Sequence, residues 1–192
     1  MTWRPAIWLV AAGVVILDQG SKQWALTALE PYVVHPVLGE WLSIQLVFNG
    51  GAAFSLGLGY TWVLTLIAAA VSVGIVVYAR RAQSAAGLWL FGIGLGGALG
   101  NLIDRVFRAP GVGRGQVVDF INYGNQFVGN VADIAIVGAA IAVAVLAAFG
   151  VKVLSPALPA VADAAHAGGL AQEGVASDDG TTAGGFTAAP RD

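Results

Sequence analysis

The sequence predicts an all-α membrane fold of four transmembrane helices, with a small extracytoplasmic β-sheet, or cradle, formed by the outer loops. Three observations predict it. Hydrophobic residues make up 57% of the 192 and charged residues only 10%, with a mean hydropathy of +0.77. A soluble domain carries roughly 25% charged residues, so most of this surface must face lipid. Four apolar stretches approach the roughly 17–25 residues that span a hydrocarbon core. The two long connecting segments carry strand-like alternation bounded by Gly, Asn and Pro.

The first helix is expected at about 6–28. It is apolar from Ala6 to Leu17, meets Asp18 and Lys22, and continues as Trp24-Ala25-Leu26. Arg4 followed by an apolar run also fits a cleaved signal peptide, but no small-x-small site follows Leu17 and the helical pattern persists past Lys22. The second helix is expected at 62–79, ending at Arg80-Arg81; the third at 87–104, ending at Asp104-Arg105. The fourth is expected at 131–151, interrupted by Asp133 and ending at Lys152. Between the first two, Trp41 to Val47 alternates with the period of a half-buried strand, and Val117 to Ile121 is a second strand candidate. Residues 1–153 thus form the membrane domain. From 154 to 192, Ala, Gly, Pro, Asp and Thr dominate without periodicity, which predicts a disordered tail. Truncation after Val153 is expected to leave activity nearly unchanged.

Lys and Arg near the spans divide evenly between the two faces, so charge asymmetry alone does not orient the chain. Arg80-Arg81 in the shortest loop favours that loop as cytoplasmic, which puts both termini inside and both long loops outside. A net charge of −2 gives no sign of nucleic-acid binding. With no cysteine there is no disulfide, thiolate site or cysteine nucleophile, and the chain cannot itself carry a lipidated cysteine. His35 and His166 are far apart, which argues against a histidine metal site or a serine triad. Neither cofactor nor metal is expected.

Polar groups at membrane depth are costly and so carry the information. Asp18 and Lys22 share a helix face four residues apart and can pair. Asn101, Asp104 and Arg105 gather at the end of the third helix, and Asn130 and Asp133 at the start of the fourth. Asp119 lies in the loop joining those helices and can fold back toward Asp133. The plainer reading is that each aspartate caps a helix or binds Arg105. Asp133, three residues into an apolar run, does more than that reading asks. Two carboxylates sharing a site cannot both ionise cheaply, so one keeps its proton while the other can take one from water. That is the chemistry of hydrolysis without metal or covalent intermediate. Gly92-Ile93-Gly94-Leu95-Gly96-Gly97 matches a dinucleotide-binding pattern but sits inside a span-length apolar stretch rather than after a strand. Gly92, Gly96 and Gly100 repeat every four residues, giving a smooth face for close helix packing.

With these residues assembled, residues 5–150 resemble the bacterial lipoprotein signal peptidases (signal peptidase II). Five stretches carry the resemblance: Leu17 to Lys22, Phe48 to Ser55, Gly96 to Arg105, Val117 to Phe120, and Asn130 to Asp133. It implies a membrane aspartic endopeptidase of the bacterial inner membrane. Such an enzyme removes the signal peptide of a prolipoprotein on the N-terminal side of its diacylglyceryl-modified cysteine. Asp119 and Asp133 match the catalytic pair; Asn49, Asn101, Arg105 and Asn130 match polar residues lining the site, and Asp18 with Lys22 match the first motif. Membrane lipid is the expected surrounding, globomycin-type inhibitors are expected to bind, and the chain is expected to act as a monomer. Gly50 stands where relatives have Thr, Gly129 where they have a bulky residue, and Ile134 where they have a small one.

Three rivals were weighed. Presenilin- or prepilin-peptidase-type proteases carry Gly-x-Gly-Asp, which precedes neither Asp119 nor Asp133. A small proton-coupled transporter would have short loops and a midplane charge, whereas here the polar groups cluster at one edge. A non-catalytic scaffold leaves the Asp119–Asp133 arrangement unexplained. The glycine face of the third helix and the grooves between helices are the expected route for substrate lipid chains.

Overall fold

In a computed structural model, the described residues are 5–51, 61–82, 84–151 and 153. The Ala52 to Ser55 end of the second motif, Lys152 and the expected tail 154–192 lie outside them. All described residues belong to one compact unit, within Met1–Ser155. The order is α1 (Pro5–Ala28), β1 (His35–Leu38), β2 (Leu42–Asn49), α2 (Thr61–Ala79), α3 (Ala85–Phe107), β3 (Val117–Tyr123), β4 (Phe127–Gly129) and α4 (Val131–Ala148). The four expected helices are present, with ends shifted by no more than a turn.

By length and composition α2, α3 and α4 are apolar enough to cross a membrane. α1 is not among them, because Asp18, Gln19, Lys22 and Gln23 interrupt its C-terminal half. The sequence-based expectation of four spans is therefore met by three helices on these criteria alone.

α3 is the hub of the helical layer, contacting α1, α2 and α4. Its glycines explain how α1 comes so close. A methyl group on Gly92 would stand 2.8 Å from Val10 Cβ, and one on Gly96 would stand 2.5 Å from Val14 Cβ and 2.7 Å from the Ala11 carbonyl oxygen. At Gly100 it would meet Asp18 Oδ2 at 2.5 Å. The face is thus filled by α1, which corrects its sequence-based reading as a route for lipid chains. Gly97, on another side, admits the Ala132 carbonyl of α4. Ile7, Ala11, Ala79 and Leu95 form the apolar core of this layer. Gly96→Val is expected to force α1 and α3 apart and to destabilise the protein by about 1–3 kcal/mol, the usual cost of overpacking. Thermal unfolding in detergent micelles checks this; an unchanged melting temperature would contradict the packing described.

Four strands form one antiparallel sheet in the order β1-β2-β3-β4. The alternation at 41–47 became β2 and the apolar run at 117–121 became β3. β1 and β4 were not expected: they are short, and β1 is exposed throughout, so neither carries a burial period to read. The β3–β4 hairpin turns through Gly124 and Asn125, both left-handed with φ of 59° and 58°. Asn122 holds the turn, its Oδ1 accepting the Asn125 backbone N–H at 3.0 Å. The sheet is fastened to the helices by a second core of Ala25, Leu46, Val118 and Phe120, with Trp24 meeting Phe120 edge to face at 6.0 Å. These contacts fix β3, and with it Asp119, against the end of α1.

Candidate active site

Asp119 sits mid-strand on β3, opposite Val47 of β2. Directly opposed residues share a sheet face, and so do alternate residues of one strand, so Asn49 lies diagonally beside Asp119. Asn49 Nδ2 donates to Asp119 Oδ2 at 2.8 Å, while its Oδ1 accepts the Gly51 N–H at 2.8 Å. Asp119 is 2% exposed.

Asp133 is delivered by α4. Asn130 is the N-cap of that helix and Asp133 occupies the third helical position, and the two form a reciprocal capping box. The Asp133 N–H donates to Asn130 Oδ1 at 3.0 Å and the Asn130 N–H donates to Asp133 Oδ2 at 3.1 Å. The plainer sequence reading of Asp133 as a cap is therefore correct as far as it goes. Its other oxygen, Oδ1, accepts from Asn101 Nδ2 of α3 at 2.8 Å, which capping does not require.

Asn130 joins the two aspartates. Its Nδ2 donates to Asp119 Oδ1 at 2.6 Å and to Asn101 Oδ1 at 3.2 Å, while its backbone holds Asp133. Each of the four carboxylate oxygens thus accepts one N–H from Asn49, Asn101 or Asn130. Asn130 is fully buried; Asp133, Asn101, Asn49 and Arg105 are half-buried, so the site is reached from their side. Arg105 Nη1 is buried and has no hydrogen-bond partner among the described residues, although Asp119, Asp104 and Asp133 lie within electrostatic reach.

Burial pushes the Asp119 carboxyl up to about 6 from its usual 3.8. The Asn49 amide opposes the rise, the Asp133 charge adds to it, and Asn130 and Lys22 work against it. The folded state therefore keeps a proton that the unfolded chain has released between about pH 4 and 6. Stability from this group is complete below about pH 4 and is lost as pH rises through about 6. A rise of this size corresponds to about 3 kcal/mol. Melting curves from pH 4 to 7 are expected to show Asp119→Asn gaining on the wild type by up to that amount. Parallel curves for the two proteins would contradict it.

Asp18 and Lys22 pair as their spacing predicts, at 2.8 Å, both fully buried. They do not stand alone. Lys22 Nζ also meets Asp104 Oδ2 at 2.9 Å and donates to Asn101 Oδ1 at 2.9 Å. Asp104 pairs in turn with Arg108 Nε at 2.6 Å, not with its chain neighbour Arg105. This corrects the plainer reading, in which the aspartates bind Arg105: adjacent residues on a helix do not face each other, whereas residues four apart do. Asp104 Oδ2 accepts the Val118 N–H at 3.2 Å, and Asp18 Oδ1 accepts the Ala132 N–H at 3.0 Å. Gln19 Nε2 bonds Asp18, Asp104 and the Gly100 carbonyl. The cluster therefore pins the start of β3 and the first turn of α4, the two places that carry Asp119 and Asp133. Sequence reasoning passed over Gln19, Asp104 and Arg108 as site-building residues. The i, i+4 spacing of Asp104 and Arg108 was the one signal available for them.

The departures noted in the sequence have structural counterparts. A side chain on Gly129 would meet the Phe127 ring at 2.8 Å and Asp133 Oδ2 at 3.1 Å, so Phe127 fills the space a bulky residue would take. A methyl group on Gly50 would find only Gln116 at an ordinary 3.7 Å, leaving room for a larger residue. Ile134 is half exposed on the outer side of α4, where its size meets no constraint.

Comparison with known proteins gives one consistent answer. A family model described as signal peptidase (SPase) II matches residues 10–149. The lipoprotein signal peptidase of Mycobacterium avium (strain 104) is 52% identical over 143 residues, 73% of this chain and 78% of that protein. That of Mycobacterium tuberculosis (strain ATCC 25618 / H37Rv) is 50% identical over 143 residues, covering 73% and 70%. A solved bacterial membrane enzyme, determined by the in meso method at 1.9 Å, superposes with a TM-score of 0.62 at 27% identity, over 72% of this chain and 90% of that one. A second, at 2.3 Å, gives 0.61 at 27% identity, over 79% and 94%. The family match spans all of α2, α3, α4 and the sheet and most of α1, and with it every residue of the amide-bridged carboxylate site: the chain belongs to the signal peptidase II family.

Proposed function

We propose that Asp119 and Asp133 are the catalytic pair with which this chain cleaves signal peptides from prolipoproteins. The family's activity is that of a lipoprotein signal peptidase, and the transporter alternative has no support. The single observation that carries the residue assignment is the Asn130 bridge, which ties a buried carboxylate on β3 to a half-buried one on α4. Asp119, the more buried of the two and raised by that burial, holds the proton of the pair and polarises the scissile carbonyl. Asp133, on the open side, takes a proton from the attacking water. As the tetrahedral intermediate collapses, Asp133 passes the proton taken from water to the leaving nitrogen, the C–N bond breaks and the carboxylate is regenerated.

Arg105 Nη1, buried and unpartnered, is the free donor for a substrate carbonyl. Arg105→Met is expected to lower kcat/KM by about 10²-fold with little change in melting temperature, in line with loss of one fixed donor. Wild-type kcat/KM would remove Arg105 from the site.

In this reading α1 completes a set of four spans. Its charged half does not face lipid, because Asp18 and Lys22 are sealed against α3 and α4. Both termini lie on the cytoplasmic side, and the sheet forms a cradle at the outer surface, where Trp41, Val37 and Leu38 are exposed. A substrate held by its signal helix and diacylglyceryl group reaches this edge already confined, which supplies much of the positioning. The protein acts as a monomer, and globomycin-type inhibitors bind at the pair. The test is cleavage of a diacylglyceryl-modified prolipoprotein by the purified chain. Release of the signal peptide at the lipidated cysteine is expected; an intact substrate would overturn the proposal.

A further inference from the structure

The buried cluster around Lys22 looks purely structural until its third bond is followed. Lys22 Nζ reaches Asp18 Oδ2 at 2.8 Å and Asp104 Oδ2 at 2.9 Å, and donates to Asn101 Oδ1 at 2.9 Å. An ammonium has three donors and no acceptor, so all three are used and an amide facing it must present its oxygen. The Asn101 nitrogen is thereby turned away from Lys22, to where it donates to Asp133 Oδ1 at 2.8 Å. Asn130 Nδ2, its own orientation set by the Asp133 N–H, also donates to Asn101 Oδ1 at 3.2 Å. An amide oxygen bonded by a cation makes its N–H the stronger donor.

We propose that Lys22 is a positioning residue for peptide cleavage, acting through Asn101 to hold an N–H, rather than a carbonyl oxygen, against Asp133. This rests on the assignment of Asp119 and Asp133 as the catalytic pair. Without the ammonium the Asn101 oxygen keeps only Asn130 Nδ2, at 3.2 Å, and the amide loses its strongest orienting partner. In the turned-over amide an oxygen opposes a carboxylate oxygen, and Asp133 has to rotate away or take up a proton. Either change removes the base. Among the described residues the titratable and charged groups around the pair are Asp18 and Lys22 on α1, Asp104 and Arg105 on α3, Arg108 at its C-cap, Asp119 and Tyr123 on β3 and Asp133 on α4.

The test uses the full chain in detergent micelles with a diacylglyceryl-modified prolipoprotein. Lys22→Met/Asp104→Asn removes one charge of each sign, so the net charge of the cluster is unchanged while the Lys22–Asn101 hydrogen bond is lost. This variant is expected to lose about 10- to 100-fold in kcat with KM within about twofold, as for a misplaced catalytic group. Its kcat profile is expected to move to higher pH. Asp104→Asn alone keeps Lys22 on Asn101 and measures what loss of the Asp104 contacts costs by itself; its fall in kcat is expected to be smaller than that of the double variant by at least about threefold. Asp18→Asn/Lys22→Met provides the same readout if the first double variant does not fold. A folded double variant with wild-type kcat and pH profile would overturn the proposal, as would Asp104→Asn alone reproducing the whole loss. Asp119→Asn and Asp133→Asn are assayed in the same preparation. If they cleave, the catalytic-pair assignment itself fails; if they are inactive while the Lys22 double variant is fully active, only the role of Lys22 is lost.

Discussion

Asp119→Asn and Asp133→Asn are each expected to reduce cleavage of a diacylglyceryl-modified prolipoprotein by at least about 10³-fold, within the range for removal of a general acid or base. Both substitutions keep the size and shape of the side chain. Each costs at most one amide–carboxylate hydrogen bond, since the new amide can present its oxygen to one of the two N–H donors on it. Substrate binding is expected to survive, because neither residue is assigned to hold the lipid or the signal helix. The double variant is expected to be no slower than either single one, since groups that act as a unit lose their whole contribution once. Single-turnover cleavage with binding measured separately checks all three points. Full activity in either variant would remove that residue from the chemistry. An additive double variant would show that the two do not work together.

Lys22→Met is expected to be the most destabilising single substitution, costing about 3–5 kcal/mol. Lys22, Asp18 and Asp104 are all fully buried, and among the described residues Lys22 is the only cation paired with Asp18. Removing it leaves two buried carboxylates without their shared cation. Arg108, a quarter exposed, relieves only Asp104. The damage should spread, because Asp104 anchors the Val118 N–H and Asp18 anchors the Ala132 N–H. Replacing Asp104 by Asn in the same chain is expected to restore a substantial part of the loss by removing one uncompensated charge. Denaturation in micelles measures both. A melting temperature for Lys22→Met close to that of the wild type would show that the cluster does not carry the stability assigned to it.

The helices were legible because lipid demands long apolar runs, and a run of that length leaves a mark that no tertiary contact is needed to read. The central strands were legible from residue type: β3 is apolar and buried along most of its length, and β2 alternates apolar and polar residues although its burial, at Ser43 and Leu46, does not follow that alternation. β1 and β4 are held by pairing to a neighbour, which leaves no comparable pattern. The polar residues were legible as a set because each stands where an apolar residue would be cheaper. Their partners were legible only where an i, i+4 spacing shows them, as for Asp18 with Lys22 and Asp104 with Arg108. Gln19 has no unusual placement, and only folding puts it against Asp104.

By itself the sequence determined a helical membrane protein, the approximate limits of its helices, the glycine face of α3, and the aspartates and asparagines of the site. Each of these follows from burial period, solvent or residue chemistry, all of which are local. The tertiary structure alone decided that the glycine face receives α1 rather than lipid, that Asp104 serves Lys22, and that Asn130 bridges Asp119 to Asp133. It also decided which way each amide points, because that depends on what stands opposite: an ammonium for Asn101, and a backbone N–H for Asn49 and Asn130. Hydrogen-bond direction belongs to pairs of groups, and the pairs here join residues up to 114 positions apart in the chain.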